Sequence, residues 1–163
     1  DPRDLWRALD TYETMTGGEV MAIAHNGNLS NGMMFPNESV DNQKLNLSYA
    51  ETRARWEPIY EVTQVKGDGE SHPTLSPSDE FADFESWDWD NIGRSAPKED
   101  WMLAHEYARG ALKLGLVHQA ELGVNPFKFG MIGSTDGHNT ISTPEEDNFF
   151  SLKQLPAYLC LLG

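Results

Sequence analysis

Phe129-Gly130-Met131-Ile132-Gly133-Ser134-Thr135-Asp136-Gly137-His138 is the stretch on which the reading of the fold turns. Its apolar run predicts a short buried strand, Phe129 to Thr135, that ends by presenting an aspartate and a histidine two residues apart. Side chains so spaced on an extended backbone point to one side, and the flanking glycines permit close packing or a sharp turn. One oxygen and one imidazole ligand suit a divalent metal. An ordinary loop with a capping aspartate would read the same way.

Working upstream, two further strands are predicted. Glu19 to Ala24 delivers His25 at its C-terminal end, and Ile59 to Val65 alternates well enough to be the second. Helices precede them. Pro2 opens one with Leu5, Trp6, Leu9, Tyr12 and Met15 at helical spacing, stopped by Gly17-Gly18. Ser48 to Trp56 forms another, with Ser48 as N-cap and Glu51 three residues on as a capping box, ended by Pro58. A third is predicted from Pro97 to about Leu122, with Trp101, Ala104, Ala108, Leu112 and Gly115 along one stripe and Gly123 as its cap. Two long loops remain, Asn26 to Asn46 and Lys66 to about Pro97. The second carries Phe81, Phe84, Trp87 and Trp89, too many aromatics for disorder, and is expected to pack down.

This order is an α/β pattern with mainly parallel strands and long rim loops. Functional groups at strand C-termini are what barrels and open α/β sheets share. Three strands are few for a closed barrel, so a partial β/α barrel is expected. The chain of 163 residues is long enough for one domain with a core and short for two. Because residue 1 is not Met, the numbering is expected to begin inside a longer product or after processing, and compartment is not readable from the N-terminus.

Composition narrows the partners. Twelve basic against 26 acidic side chains give a formal charge of −14. That field repels polyanions, so nucleic-acid binding is not expected, and it attracts cations, although acidic surfaces commonly serve solubility. No apolar run approaches membrane-spanning length. The single Cys160 excludes an internal disulfide and a cysteine-based zinc cluster.

If the three strands are adjacent and parallel, His25, the Gln64-to-His72 segment and Asp136-Gly-His138 share one rim. Two imidazoles and a carboxylate there would suffice to hold zinc or manganese. Glu61, within the second strand, reads as a metal ligand, a base or half of a buried network. Lys66 could neutralise a substrate anion, and His72 stands between exposed residue and site member. Asn26 and Asn28 satisfy turn backbone or orient a ligand. His105 and His118 lack metal-motif spacing and read as surface or packing residues. The glycine-rich nucleotide loops and the serine-nucleophile elbow are absent.

Ala24-His-Asn-Gly-Asn-Leu-Ser-Asn-Gly32, Glu57-Pro58, Glu61-Val-Thr-Gln-Val-Lys-Gly67 and Ile132-Gly-Ser-Thr-Asp-Gly-His-Asn139, in this order, resemble domain of unknown function 3604. That family is similar to the polymerase-and-histidinol-phosphatase (PHP) metal hydrolases. The resemblance runs to about Phe150 and implies a distorted β/α barrel with metals at its C-terminal rim. It implies phosphoester hydrolysis by a metal-activated water, acting on a small anionic substrate. Carried over, His25, Asp136 and His138 look like metal ligands. Glu61, Gln64, Lys66 and His72 match the family's middle motif, which assigns them no role; their own chemistry makes Lys66 and His72 the expected catalytic residues and Asn26, Asn28 and Gln64 the expected substrate-binding ones. The opening His-x-His strand of PHP-like proteins has no counterpart before His25, so residues 1–150 resemble the C-terminal part of such a domain. Residues 151–163 read as an unrecognised apolar tail favouring homo-oligomers. The alternatives are a catalytically inert fragment that self-associates, or a non-catalytic metal- or ligand-binding module.

Overall fold

The computed structural model of the chain describes residues 1–138; the apolar tail, with the self-association expected of it, lies outside them. Helix α1 is Pro2–Thr16. Asp1 caps it by accepting from the Arg3 backbone N–H at 2.9 Å, and Pro2 occupies the first turn, where a missing N–H is harmless. Gly17 ends it in the left-handed region. The expected apolar stripe is not buried as a unit: Trp6 is, while Leu5, Tyr12 and Met15 are exposed. Trp6 docks the helix, edge-on to Tyr49 with its indole N–H on Glu57 at 2.8 Å.

Strand β1 is only Ile23–Ala24, shorter than predicted. Upstream donors go elsewhere, Val20 N–H to the Glu13 carboxylate and Ala22 N–H to the Trp56 carbonyl. Helix α2 is Leu47–Trp56, and its cap is Asn46 rather than Ser48. Asn46 has the extended backbone a cap needs and accepts from Tyr49 N–H at 2.9 Å. Ser48 already lies inside the helix, so no capping box with Glu51 forms.

Strand β2, Ile59–Gln64, is central. It pairs in parallel with β1, Ile59 opposite Ile23, and with β4, Gly130–Gly133, Ile59 opposite Gly130. Its register with β4 shifts between Glu61 and Thr63. An unforeseen strand β3, Gly67–Asp68, turns back antiparallel on the end of β2. The two-residue turn Val65-Lys66 needs Gly67 at φ 104°, which side chains disfavour. The fold is therefore mixed α/β around a parallel-strand sheet that is open rather than closed.

The long helix expected over 97–122 is instead two, α3 at Asp100–Leu103 and α4 at Ala108–Leu122. The break has tertiary causes. Ala108 and Arg109 N–H bond to the Gly69 and Glu70 carbonyls, and the His105 carbonyl accepts from Phe35. Trp101, expected on the buried stripe, is consequently exposed, as are Phe81, Phe84 and Trp89; of the loop aromatics, Trp87 is buried. The core gathers Trp6, Phe35, Tyr49, Trp56, Tyr60 and Phe127. Phe35 sits within 5.5 Å of the Tyr60, Phe127 and Phe129 rings. Buried Arg53 lies over Phe127 and pairs with Glu57 at 3.0 Å.

Candidate functional site

Parallel pairing of β1, β2 and β4 puts their C-terminal ends on one edge of the sheet. The pairing continues past the strands, Ser134 N–H to the Thr63 carbonyl at 3.1 Å and Val65 N–H to Thr135 at 3.4 Å. The turn after β2 thereby meets the loop after β4. Lys66 Nζ donates to Asp136 Oδ2 there, and His138 Nε2 lies 3.1 Å from Asp136 Oδ1. Both oxygens of the carboxylate are engaged. Asp136 sits at φ 47°, a left-handed backbone that aspartate tolerates better than most residues.

Burial pushes the Asp136 carboxyl up, but the Lys66 hydrogen bond and charge, then His138 and His25, outweigh it and hold it below the usual range. The Nδ1 of His25 lies 2.9 Å from the Ile23 carbonyl. In a neutral ring, donation from Nδ1 to that carbonyl leaves Nε2 as the acceptor, an arrangement suited to a histidine ligand. His25 and His138 are exposed.

The remaining predicted residues divide in two. Gln64 donates to Asn26 Oδ1 at 2.8 Å and accepts from the Lys66 N–H at 3.2 Å. Buried Asn28 donates to the carbonyls of Lys66 and Trp87. These three side chains hold the β2–β3 turn, and Lys66 with it. Buried Glu61 accepts from the Oγ of Ser134, the exposed residue just after β4, at 2.8 Å. His72 makes its contacts elsewhere: Nε2 meets Asp88 at 2.8 Å, Nδ1 accepts from Thr74 N–H, and the ring packs on Tyr107. Both its nitrogens are in use.

The donor types of His25, Asp136 and His138 fit a divalent ion such as zinc or manganese. Their placement fits less well, since among the described residues no three His, Cys, Asp or Glu side chains form a group able to hold one. A cleft of about 640 Å³ beside His25 is lined by Ile23, Leu29, Met33, Met34 and Ile92. A larger one of about 750 Å³, between α1 and α2, touches none of the candidate residues.

Sequence reasoning missed the brace behind this edge. Lys98 Nζ reaches Glu106 Oε2 and the Asn28 carbonyl, each at 2.6 Å, and Glu106 Oε1 accepts from Gly32 N–H at 2.9 Å. The pair ties the loop bearing Asn26 and Asn28 to the α3–α4 break. No spacing signals it, because the partners come from a loop and a helix interruption. No helix among the described residues is long and apolar enough to cross a membrane.

The family model described as protein of unknown function (DUF3604) matches residues 1–157, reaching into the apolar tail, and the chain belongs to that family. No curated protein and no solved structure matches it.

Proposed function

We propose, with DUF3604 membership as premise, that this chain carries part of a metal-dependent hydrolase site of the PHP-like type, acting on phosphoesters. In this reading the sheet is a portion of a distorted β/α barrel, and residues 1–150 form its C-terminal part. The observation that carries the proposal is the meeting of Asp136, His138 and Lys66 at the C-terminal edge of parallel strands, with His25 following the neighbouring strand β1. His25, Asp136 and His138 would hold the ion. Such an ion would supply a hydroxide at neutral pH and polarise a phosphoryl oxygen. Lys66 contributes positive charge toward a small anionic substrate, and Asn26, Asn28 and Gln64 keep the turn that presents it in place. The test is hydrolysis of p-nitrophenyl phosphate with added Mn²⁺, beside Asp136→Ala. Turnover should fall at least about a hundredfold in the variant; undiminished turnover removes the assignment.

A second reading, an inert chain that self-associates, is favoured by the sheet edge. Every residue of β4 is exposed, including Met131 and Ile132, and among the described residues it pairs only with β2. Light scattering behind size exclusion separates the two, because a strictly monomeric chain that hydrolyses the ester excludes this alternative.

A further inference from the structure

We propose that the cleft between α1 and α2 binds a small organic anion, an apolar body bearing a single oxyanion group such as a carboxylate. Its volume of about 750 Å³ falls within the range of small-molecule sites, roughly 300–1,000 Å³. The cleft touches none of the candidate residues at the sheet edge, and its binding needs no metal there.

Positive charge gathers here in a chain that is otherwise acidic. Arg3, Arg7, Lys44 and Arg55 line the cleft, four of the twelve basic side chains, against Asp10 and Glu51. Two of the four are committed: Arg3 pairs with Asp1 and Asp41, and Arg55 donates to Glu13 at 2.9 Å. The other two are open to a ligand. Lys44 is exposed, and its ammonium makes no hydrogen bond or ion pair among the described residues. Arg7 has Asp4 as its one acidic partner, with the two side chains 77% and 64% exposed. Water screens such a pair, so a ligand anion competes for the guanidinium. The positive end of α2 adds to them. Asn46, its N-cap, and Ser48 in its first turn line the same cleft, where the first N–H groups lack partners within the helix.

Aromatic residues supply the apolar half. Trp6, Tyr49 and Trp56 line the cleft as well, and all three are buried. Trp6 and Tyr49 meet edge-on at 5.0 Å, and the Arg55 guanidinium lies over the Trp56 ring at 4.3 Å. These contacts fix the walls before a ligand arrives. The arginine stems add apolar surface beside their charged heads. An apolar body rests against stems and ring edges while its oxyanion meets Lys44, Arg7 and the start of α2. The total charge of −14 decides against a polyanion, which the whole surface repels, and favours one anionic group held at short range.

The test is calorimetric titration of naphthoate, with uncharged naphthamide as its match, into the wild-type chain and three variants. These are Arg7→Gln/Lys44→Gln, the charge-preserving Arg7→Lys/Lys44→Arg, and Asp136→Ala. Both altered cleft positions are exposed, and an unchanged melting midpoint checks that the fold is kept. Naphthoate should bind the wild type about tenfold or more tightly than naphthamide, the worth of one hydrogen bond to a charged group. Arg7→Gln/Lys44→Gln should weaken naphthoate by about tenfold or more, while the charge-preserving variant keeps most of the affinity. Asp136→Ala should bind naphthoate as the wild type does, whatever becomes of its hydrolytic activity, so the two readings fail separately. No naphthoate binding by the wild type, equal affinity for the two probes, or full binding by Arg7→Gln/Lys44→Gln overturns the proposal. Weaker binding by Asp136→Ala moves the ligand to the sheet edge and overturns it too.

Discussion

Glu106 has no exposed surface, and its carboxylate is satisfied from two directions, by Lys98 at 2.6 Å and by Gly32 N–H at 2.9 Å. A buried pair of this kind gives little net stability compared with an apolar pair, but removing one partner strands a charge. Lys98→Met should therefore destabilise the fold by about 3–5 kcal/mol in urea unfolding. The double variant Lys98→Met/Glu106→Gln should recover part of that loss, since the orphaned charge is gone. A double variant as unstable as the sum of its singles would show that the two side chains act independently. Gly27 belongs to the same brace, because a Cβ there would lie 2.4 Å from the Glu106 carbonyl oxygen and 2.3 Å from the Tyr60 hydroxyl.

Helix α4 carries the clearest pH sensitivity outside the candidate site. His118 is buried on its inner face, edge-on to Phe127, and burial holds its pKa below the ordinary histidine value against a smaller opposing pull from Glu121. The folded pKa is the lower one, so the unfolded chain takes up the proton first as pH falls. The stability from neutral His118 is present above about pH 6.5 and is lost as pH drops through the folded value. The melting midpoint should fall between pH 7.5 and pH 5, and His118→Met should flatten that dependence; an equal fall in the variant would assign it to other groups. Elements with local signals were legible in sequence: Pro2 and Gly17 bounding α1, the alternation of β2, and Gly123 closing α4. Those set by distant partners were not. The α3–α4 break depends on carbonyls of Gly69 and Glu70, and β3 is too short to leave a periodic trace. Asn46 and Ser48 are both good caps, and only the backbone decides between them.

At the scale of the molecule, an open parallel sheet and a charge of −14 frame the candidate site. The acidic field favours cations, and the sheet brings Asp136 to the edge where His138 meets it. Strand-end histidine and Asp-x-His spacing made these residues readable in advance, because parallel order alone aligns strand ends. The engagement of both Asp136 oxygens was not readable, since it depends on a turn that presents Lys66 to a loop seventy residues away. The most direct measurement is the manganese retained per chain after equilibrium dialysis, wild type beside Asp136→Ala. The wild type should retain manganese stoichiometrically and the variant should lose it; equal manganese content in both would contradict Asp136 as a metal ligand.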